Sequence, residues 1–113
     1  MTKPLSIPDL VGKAVLITGA SSGIGAALAR AFAEQGVSVG VHYNASAAAA
    51  EALCADIRAG GGKATAVHGD VTKPAEIVRV VEETAMALGR LDGLVNNAGG
   101  MVARMPYAAF DGA

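Results

Sequence analysis

Thr18-Gly19-Ala20-Ser21-Ser22-Gly23-Ile24-Gly25 is the stretch on which the fold of this chain turns. Before it stands Ala14-Val15-Leu16-Ile17, a short unbroken apolar run of the kind carried by a strand buried on both faces. After it, Ile24 to Gln35 puts Ile24, Leu28, Ala31 and Phe32 on one helical face, and Gly36 stands where a helix-terminating glycine belongs. A glycine-rich turn between strand and helix lets backbone N–H groups approach a diphosphate closely, and the positive end of the helix dipole favours the same anion. Ser21 and Ser22 add hydroxyls beside it. The same glycines also describe a strand-to-helix turn with no ligand.

Outward from this turn the period changes repeatedly. Val37 to Val41 alternates Val with Ser38 and Gly40, a second strand. Ser46 to Ala59 is Ala-rich and helical, with Ala50, Leu53 and Ile57 on its buried face, and Gly60-Gly61-Gly62 breaks it. Ala64 to Val67 makes a third strand, ending at His68-Gly69-Asp70. Thr72, as a capping hydroxyl, and Pro74, in the first turn, open a third helix. Its core stripe is Ile77, Val80, Val81, Thr84 and Leu88, and Gly89 closes it. Leu91 to Val95 is a fourth strand, running into Asn96-Asn97-Ala98-Gly99-Gly100, and Met101 to Ala113 reads as loop. Strands alternating with helices argue for an α/β parallel sheet with right-handed crossovers.

Composition narrows the function. Nine basic residues face ten acidic ones for a net charge of −1, with no basic run, which argues against nucleic acid. No signal peptide or bilayer-length apolar run is visible, so the expectation is a cytoplasmic protein with no membrane partner. Cys54 is the single cysteine and sits on the Ala-rich helix, where a packed, inert thiol is expected. His42 and His68 lack a cluster of further ligands at metal spacing, so no metal site is expected and both read as structural or solvent-facing.

The glycine spacing is Gly-x-x-x-Gly-x-Gly, and no Lys follows as in a P-loop. Thr18 to Gly25 resembles the cofactor signature of the short-chain dehydrogenases/reductases. Asp9-Leu10-Val11-Gly12-Lys13 is similar to their lead-in to the first strand, Gly69-Asp70-Val71 to the position after the third, and Asn96-Asn97-Ala98-Gly99 to their second signature. The resemblance covers the chain to about Gly100. It implies a Rossmann-type doubly wound sheet whose first four strands have the order 3-2-1-4, so that residues 1–113 form the N-terminal part of one dinucleotide-binding domain.

By that resemblance Gly19, Gly23 and Gly25 line the pyrophosphate, with Ser21 and Ser22 beside it, and Ile24 donates a backbone N–H. Asp70 accepts from the adenine amino group, with the Val71 amide next to it. Asn97, Ala98 and Gly99 pass under the adenosine ribose toward the nicotinamide, and Thr18 ties the first loop to that segment. Without the resemblance, Asp70 reads as a turn or capping residue. The end of the second strand selects between NAD and NADP, because a carboxylate there repels a 2′-phosphate. His42-Tyr43-Asn44-Ala45-Ser46 offers no acid before Glu51, so Ser22, Tyr43, Asn44 and Ser46 are read as neutral holders of the phosphate, and NADP is preferred to NAD.

The family's reaction is hydride transfer between NAD(P) and a carbonyl or secondary alcohol, with 3-oxoacyl thioesters, sugars and alcohols as example substrates, commonly in a homotetramer. It uses a Tyr-x-x-x-Lys pair, because an ordinary tyrosine, with a pKa of about 10, must be shifted to work near neutrality. Four residues after Tyr43 comes Ala47, and four after Tyr107 comes Asp111, so no catalytic residue is assigned here. The expectation is a fragment of such an enzyme; the alternative is a truncated, inactive dinucleotide-binding module.

Overall fold

A computed structural model describes residues 10–21 and 23–97. Strands β1 (Ala14–Ile17), β2 (Ser38–Tyr43), β3 (Ala64–His68) and β4 (Gly93–Val95) alternate with helices α1 (Gly23–Glu34), α2 (Ala47–Ala59) and α3 (Pro74–Leu88). Every strand pairing is parallel and the order is β3-β2-β1-β4, as the sequence implied.

The unbroken apolar run of β1 serves both faces of the sheet. Val15 and Ile17 join Val39, Val41, Ala29, Ala50, Leu53 and Ile57 beneath α1 and α2. Leu16 points to the other face, where it meets Val67, Val80 and Leu91 under α3. Ile17 and Leu16 are almost wholly enclosed, and each such side chain contributes about 1.5–3 kcal/mol relative to exposure.

The face expected for α1 is corrected. Gly25 and Ala29 are its buried residues, whereas Ile24 is 73% exposed and Ala31 is exposed. Leu28 and Phe32 flank the contact, half-buried. The small residues four apart let the helix axis lie close to the sheet, so the large side chains that mark an ordinary apolar stripe straddle the contact instead. Gly40 plays the matching part on the other face: a Cβ there would lie 2.5 Å from the Thr84 Cγ2 of α3. Thr84 is fully buried and donates its hydroxyl to the Val80 carbonyl at 2.8 Å, which satisfies it.

Other boundaries move by small, explicable steps. β2 continues past Val41 through His42 and Tyr43, which pair with Val67 and His68 of β3; the ladder is indifferent to their polarity. β4 starts at Gly93, not Leu91, although the Leu91 side chain is buried. Asp92 precedes it, donating its N–H to the Ala14 carbonyl and accepting the Ala14 N–H on Oδ2, both at 2.8 Å. α2 begins at Ala47, after a Ser46 whose side chain makes no capping bond. Ala50, Leu53 and Ile57 are buried as expected, together with Cys54, whose thiol pKa is pushed up by burial.

Thr72 does not cap α3. Lys73 holds the cap position and Pro74 the first turn, while the Thr72 hydroxyl donates to Asp70 Oδ1 at 2.6 Å. Lys73, not Thr72, stands where a side-chain oxygen would accept a first-turn N–H, and the Thr72 hydroxyl is turned back to Asp70 instead. The α3 stripe is as read, with Val80, Thr84 and Leu88 buried and Ile77 and Val81 half-buried. Gly89 closes the helix in the left-handed region at φ 85°, donating to the Ala85 carbonyl. Among the described residues, no helix is long and apolar enough to cross a membrane, and no three His, Cys, Asp or Glu are grouped to hold a metal ion.

Candidate functional site

Parallel pairing brings the C-terminal ends of all four strands to one edge of the sheet. β1 lies between β2 and β4, so the chain reverses its direction of growth across the sheet there. The crevice between the loops after β1 and β4 is the place where open α/β sheets bind ligands.

The β1 loop takes its shape from two glycines in the left-handed region, Gly19 at φ 62° and Gly23 at φ 61°. Gly23 opens α1, whose first N–H groups have no acceptor within the helix and carry its positive dipole end. Gly25 is needed for a different reason. A Cβ on it would lie 2.5 Å from the Gly19 carbonyl oxygen, 2.7 Å from Asn97 Nδ2 and 2.8 Å from Ala20 Cα. The loop therefore folds back onto the helix as tightly as backbone permits.

The β4 loop holds this turn from the other side. Asn97 Nδ2 donates to the Gly19 carbonyl at 3.1 Å, and the Asn97 backbone N–H donates to Thr18 Oγ1 at 2.8 Å. The Thr18 hydroxyl in turn lies 3.1 Å from Asn96 Oδ1 and 3.4 Å from the Val95 carbonyl. The tie expected of Thr18 is thus present as geometry.

The β2 end grips the same turn through a residue whose part the sequence did not reveal. His42 is 1% exposed and accepts the Gly19 N–H on Nδ1 at 2.9 Å. Its Nε2 lies 2.6 Å from the Gly69 carbonyl. An acceptor Nδ1 fixes the neutral tautomer with hydrogen on Nε2, which donates to Gly69. Burial lowers the His42 pKa from its ordinary value against the Gly69 carbonyl, which raises it; the charge of His68 lowers it further. The signal for His42 was its period: it follows Gly40 by two residues and shares the α3 face of the strand. His68, by contrast, is exposed and rests against the Tyr43 ring at 5.3 Å between centroids.

After β3, Asp70 stands in a turn of its own making. Its Oδ1 accepts the Thr72 N–H at 3.0 Å and the Thr72 hydroxyl, and these bonds hold its carboxyl below the ordinary range. Oδ2 takes no hydrogen bond among the described residues. Glu76 Oε1 accepts the Asp70 N–H at 3.3 Å, and Arg79 bridges Glu76 to the His68 carbonyl at 2.9 Å each. That bracing by α3 was also not read from the sequence, since i, i+3 charge pairs look alike on any solvated helix face.

The expected residues therefore gather at one edge: Gly19, Ser21, Gly23, Ile24 and Gly25 after β1, Tyr43 at the end of β2 with Asn44 and Ser46 after it, Asp70 and Val71 after β3, and Asn97 after β4. Asn44 and Ser46 are exposed, while Tyr43 and Val71 are half-buried. Ser22, Ala98 and Gly99 lie outside the described residues, as does the loop expected from residue 101 onward. A groove of about 200 Å³ between α1 and the 60–62 turn lies at the opposite edge and holds none of these residues.

Comparison with known proteins gives this arrangement relatives. The short chain dehydrogenase family model matches residues 13–111. An uncharacterized oxidoreductase of Methylorubrum extorquens is 49% identical over 90 residues, covering 80% of this chain and 36% of that protein. A 3-oxoacyl-[acyl-carrier-protein] reductase of Synechocystis sp. is 44% identical with the same coverage of each chain. Among solved structures, a short chain dehydrogenase from Burkholderia cenocepacia in complex with NADP superposes with a TM-score of 0.76 at 45% identity, covering 79% of this chain and 36% of its own. The chain thus spans little more than a third of the length of the relatives it matches.

Proposed function

Because this chain belongs to the short chain dehydrogenase family, we propose that residues 1–113 are the N-terminal part of one dinucleotide-binding domain, in an oxidoreductase that moves hydride between NADP(H) and a carbonyl or secondary alcohol. The observation that carries this is the β1 loop: left-handed Gly19 and Gly23, and a Gly25 with no room for a side chain, at the edge where the sheet reverses. Only a bare backbone lets a pyrophosphate come so near a helix N-terminus.

In this reading the α1 first-turn N–H groups, Ile24 among them, take the pyrophosphate, with Gly19, Ser21, Ser22, Gly23 and Gly25 around it. Asp70 Oδ2 is the acceptor for the adenine amino group, with Val71 beside it. Asn97, Ala98 and Gly99 run under the adenosine ribose and on toward the nicotinamide. When bound, the dinucleotide supplies the hydride-transferring ring; this chain's residues bind and orient it. Tyr43, Asn44 and Ser46 end β2 with no carboxylate, so nothing there repels a 2′-phosphate. That supports NADP over NAD, as does the NADP held by the Burkholderia relative.

The Synechocystis relative supports a substrate class for the whole protein: a 3-oxoacyl thioester, or more broadly a ketone. A cytoplasmic homo-oligomer, with no nucleic acid or membrane partner, completes the reading. The experiment is calorimetric titration of NADP+ and NAD+ into the purified protein carrying this sequence, followed by an NADPH oxidation assay with a 3-oxoacyl thioester. Binding with a preference for NADP+, and turnover, supports the reading in full. Binding without turnover favours an inactive dinucleotide-binding module, which the lack of a Tyr-x-x-x-Lys pair in these 113 residues would explain. Failure to bind either dinucleotide overturns both.

A further inference from the structure

Among the described residues, the His42 side chain bonds both the loop proposed to take the pyrophosphate and the loop proposed to take the adenine. It accepts the Gly19 N–H of the phosphate loop at 2.9 Å and reaches the Gly69 carbonyl, one residue before Asp70, at 2.6 Å. Its own carbonyl takes the Ala20 N–H at 3.0 Å, and the next carbonyl, of Tyr43, takes the Gly69 N–H at 3.1 Å. Backbone and imidazole thus bind the same two loops from the end of β2.

We infer that His42 is a positioning residue for the dinucleotide: as a neutral imidazole with its proton on Nε2, it sets the spacing between the pyrophosphate-binding and adenine-binding loops. The inference rests on the cofactor reading given above. It goes further by assigning cofactor capture to a buried residue that touches no ligand, and to one protonation state of it.

The chemistry of the ring makes the claim specific. A proton added at Nδ1 would turn the acceptor of the Gly19 N–H into a second donor facing it. The pair would then repel at hydrogen-bond distance, and the loop could hold its shape only by giving up that contact. The surrounding groups bear on the same equilibrium. His68, against Tyr43 at the end of β3, acts on it electrostatically, Asp70 lies just beyond Gly69, and Tyr43 follows it on β2. Glu76 and Arg79 of α3 pack on Gly69, where a Cβ would lie 3.1 Å from Arg79 Nη2. The β1 loop from Thr18 to Ser21 brings no titratable group. Desolvation and the His68 charge favour the neutral ring, in line with its two bonds.

Two variants separate positioning from simple packing. His42→Asn keeps a short amide oxygen where Nδ1 was, able to accept from Gly19, and does not titrate. His42→Leu fills the space and accepts nothing. The measurement is NADP+ affinity of the wild-type and variant proteins by calorimetry between about pH 4.5 and 8, a range reaching well below the ordinary histidine value of about 6.5 because burial lowers that of His42. At the alkaline end, His42→Leu should bind about tenfold more weakly, the size of one hydrogen bond, and His42→Asn within about threefold of wild type. Toward the acid end, wild type should lose affinity more steeply than His42→Asn. The ligand's own phosphate titrates in both proteins, so only the difference between their slopes counts.

Equal slopes overturn the inference, as does a folded His42→Leu protein that binds like wild type. Should His42→Leu fail to fold, the comparison of wild type with His42→Asn decides alone. Wild-type protein that binds neither NADP+ nor NAD+ at the alkaline end overturns the cofactor reading, and this inference with it. Binding with flat, equal slopes overturns this inference only.

Discussion

Asn97 donates its side-chain amide to the Gly19 carbonyl at 3.1 Å, so the loops after β4 and β1 hold each other across the crevice. Gly25 lies under that contact, with room for hydrogen and nothing larger. Gly25→Ala would push its methyl against two backbone atoms, which cannot swing aside, and against the Asn97 side-chain amide. We expect a loss of about 1–3 kcal/mol in urea unfolding, typical of overpacking. NADP+ affinity should fall with it, because the loop must open to admit the methyl. A variant matching wild type in both measurements would falsify the tight-loop account.

On the opposite face of the sheet, Gly40 and Thr84 form a size-matched pair. Gly40→Ala alone should destabilise by about 1–3 kcal/mol. Thr84→Ser removes the Cγ2 that the new methyl meets at 2.5 Å and keeps the hydroxyl that bonds to Val80. In the double variant the penalties should not add, and the coupling should be about 0.5–3 kcal/mol. Additive penalties in a chemical-denaturation cycle would place the strain elsewhere.

Asp92 couples the sheet edge to pH. Its carboxyl pKa is lowered chiefly by Arg90, with the Ala14 N–H adding to the effect. A lowered folded-state value means that the stabilisation is fully present above the ordinary carboxyl value of about 4. It is lost as pH falls through the lowered value. Asp92→Asn should therefore flatten acid unfolding in that window while keeping an oxygen for Ala14. Asp92→Ala, which leaves the buried Ala14 N–H unpaired, should cost about 1–3 kcal/mol at neutral pH. Thermal melts of the three proteins across acid pH give the comparison, and parallel curves for wild type and Asp92→Asn count against this role.

Cofactor choice is tested at the end of β2. Asn44→Asp puts a carboxylate where the strand now presents an exposed neutral amide. A charge there repels a 2′-phosphate and accepts from free ribose hydroxyls. NADP+ affinity should drop roughly tenfold or more, since two like charges about 4 Å apart near a surface repel by some 1–4 kcal/mol. NAD+ affinity should hold or rise. An unchanged ratio of the two affinities would move the ribose away from Asn44.

Much of the fold was legible because its signals are local. Four apolar runs, each bounded by glycine or polar turns, marked the strands, and their spacing demanded parallel crossovers. What escaped were packing relations between distant elements. The α1 face was misread because Gly25 and Ala29 bury themselves by being small, and hydropathy rewards large side chains. Thr72 was taken for a cap because its competing partner, Asp70, makes an equally local turn. The loops were placed by their glycines, yet the histidine that ties two of them together was read only as structural or solvent-facing, without its partners. Its partners are backbone groups of Gly19 and Gly69, which no residue type advertises.

The place of β1 in the middle of the sheet sets an order on how the molecule comes into being. Ala14 and Asp92 are 78 positions apart, and so are Gly19 and Asn97. A ribosome adding about 5–20 residues each second needs roughly 4–16 s to make that length of chain. Until β4 emerges, β1 has a neighbour on one side only, and the turn after it lacks the amide that clasps it. Contacts of such long separation are also the slow ones to form, because the intervening chain must give up its freedom first. The turn after β1 is therefore synthesised well before the strand whose loop clasps it, and is among the last parts of this sheet to be set.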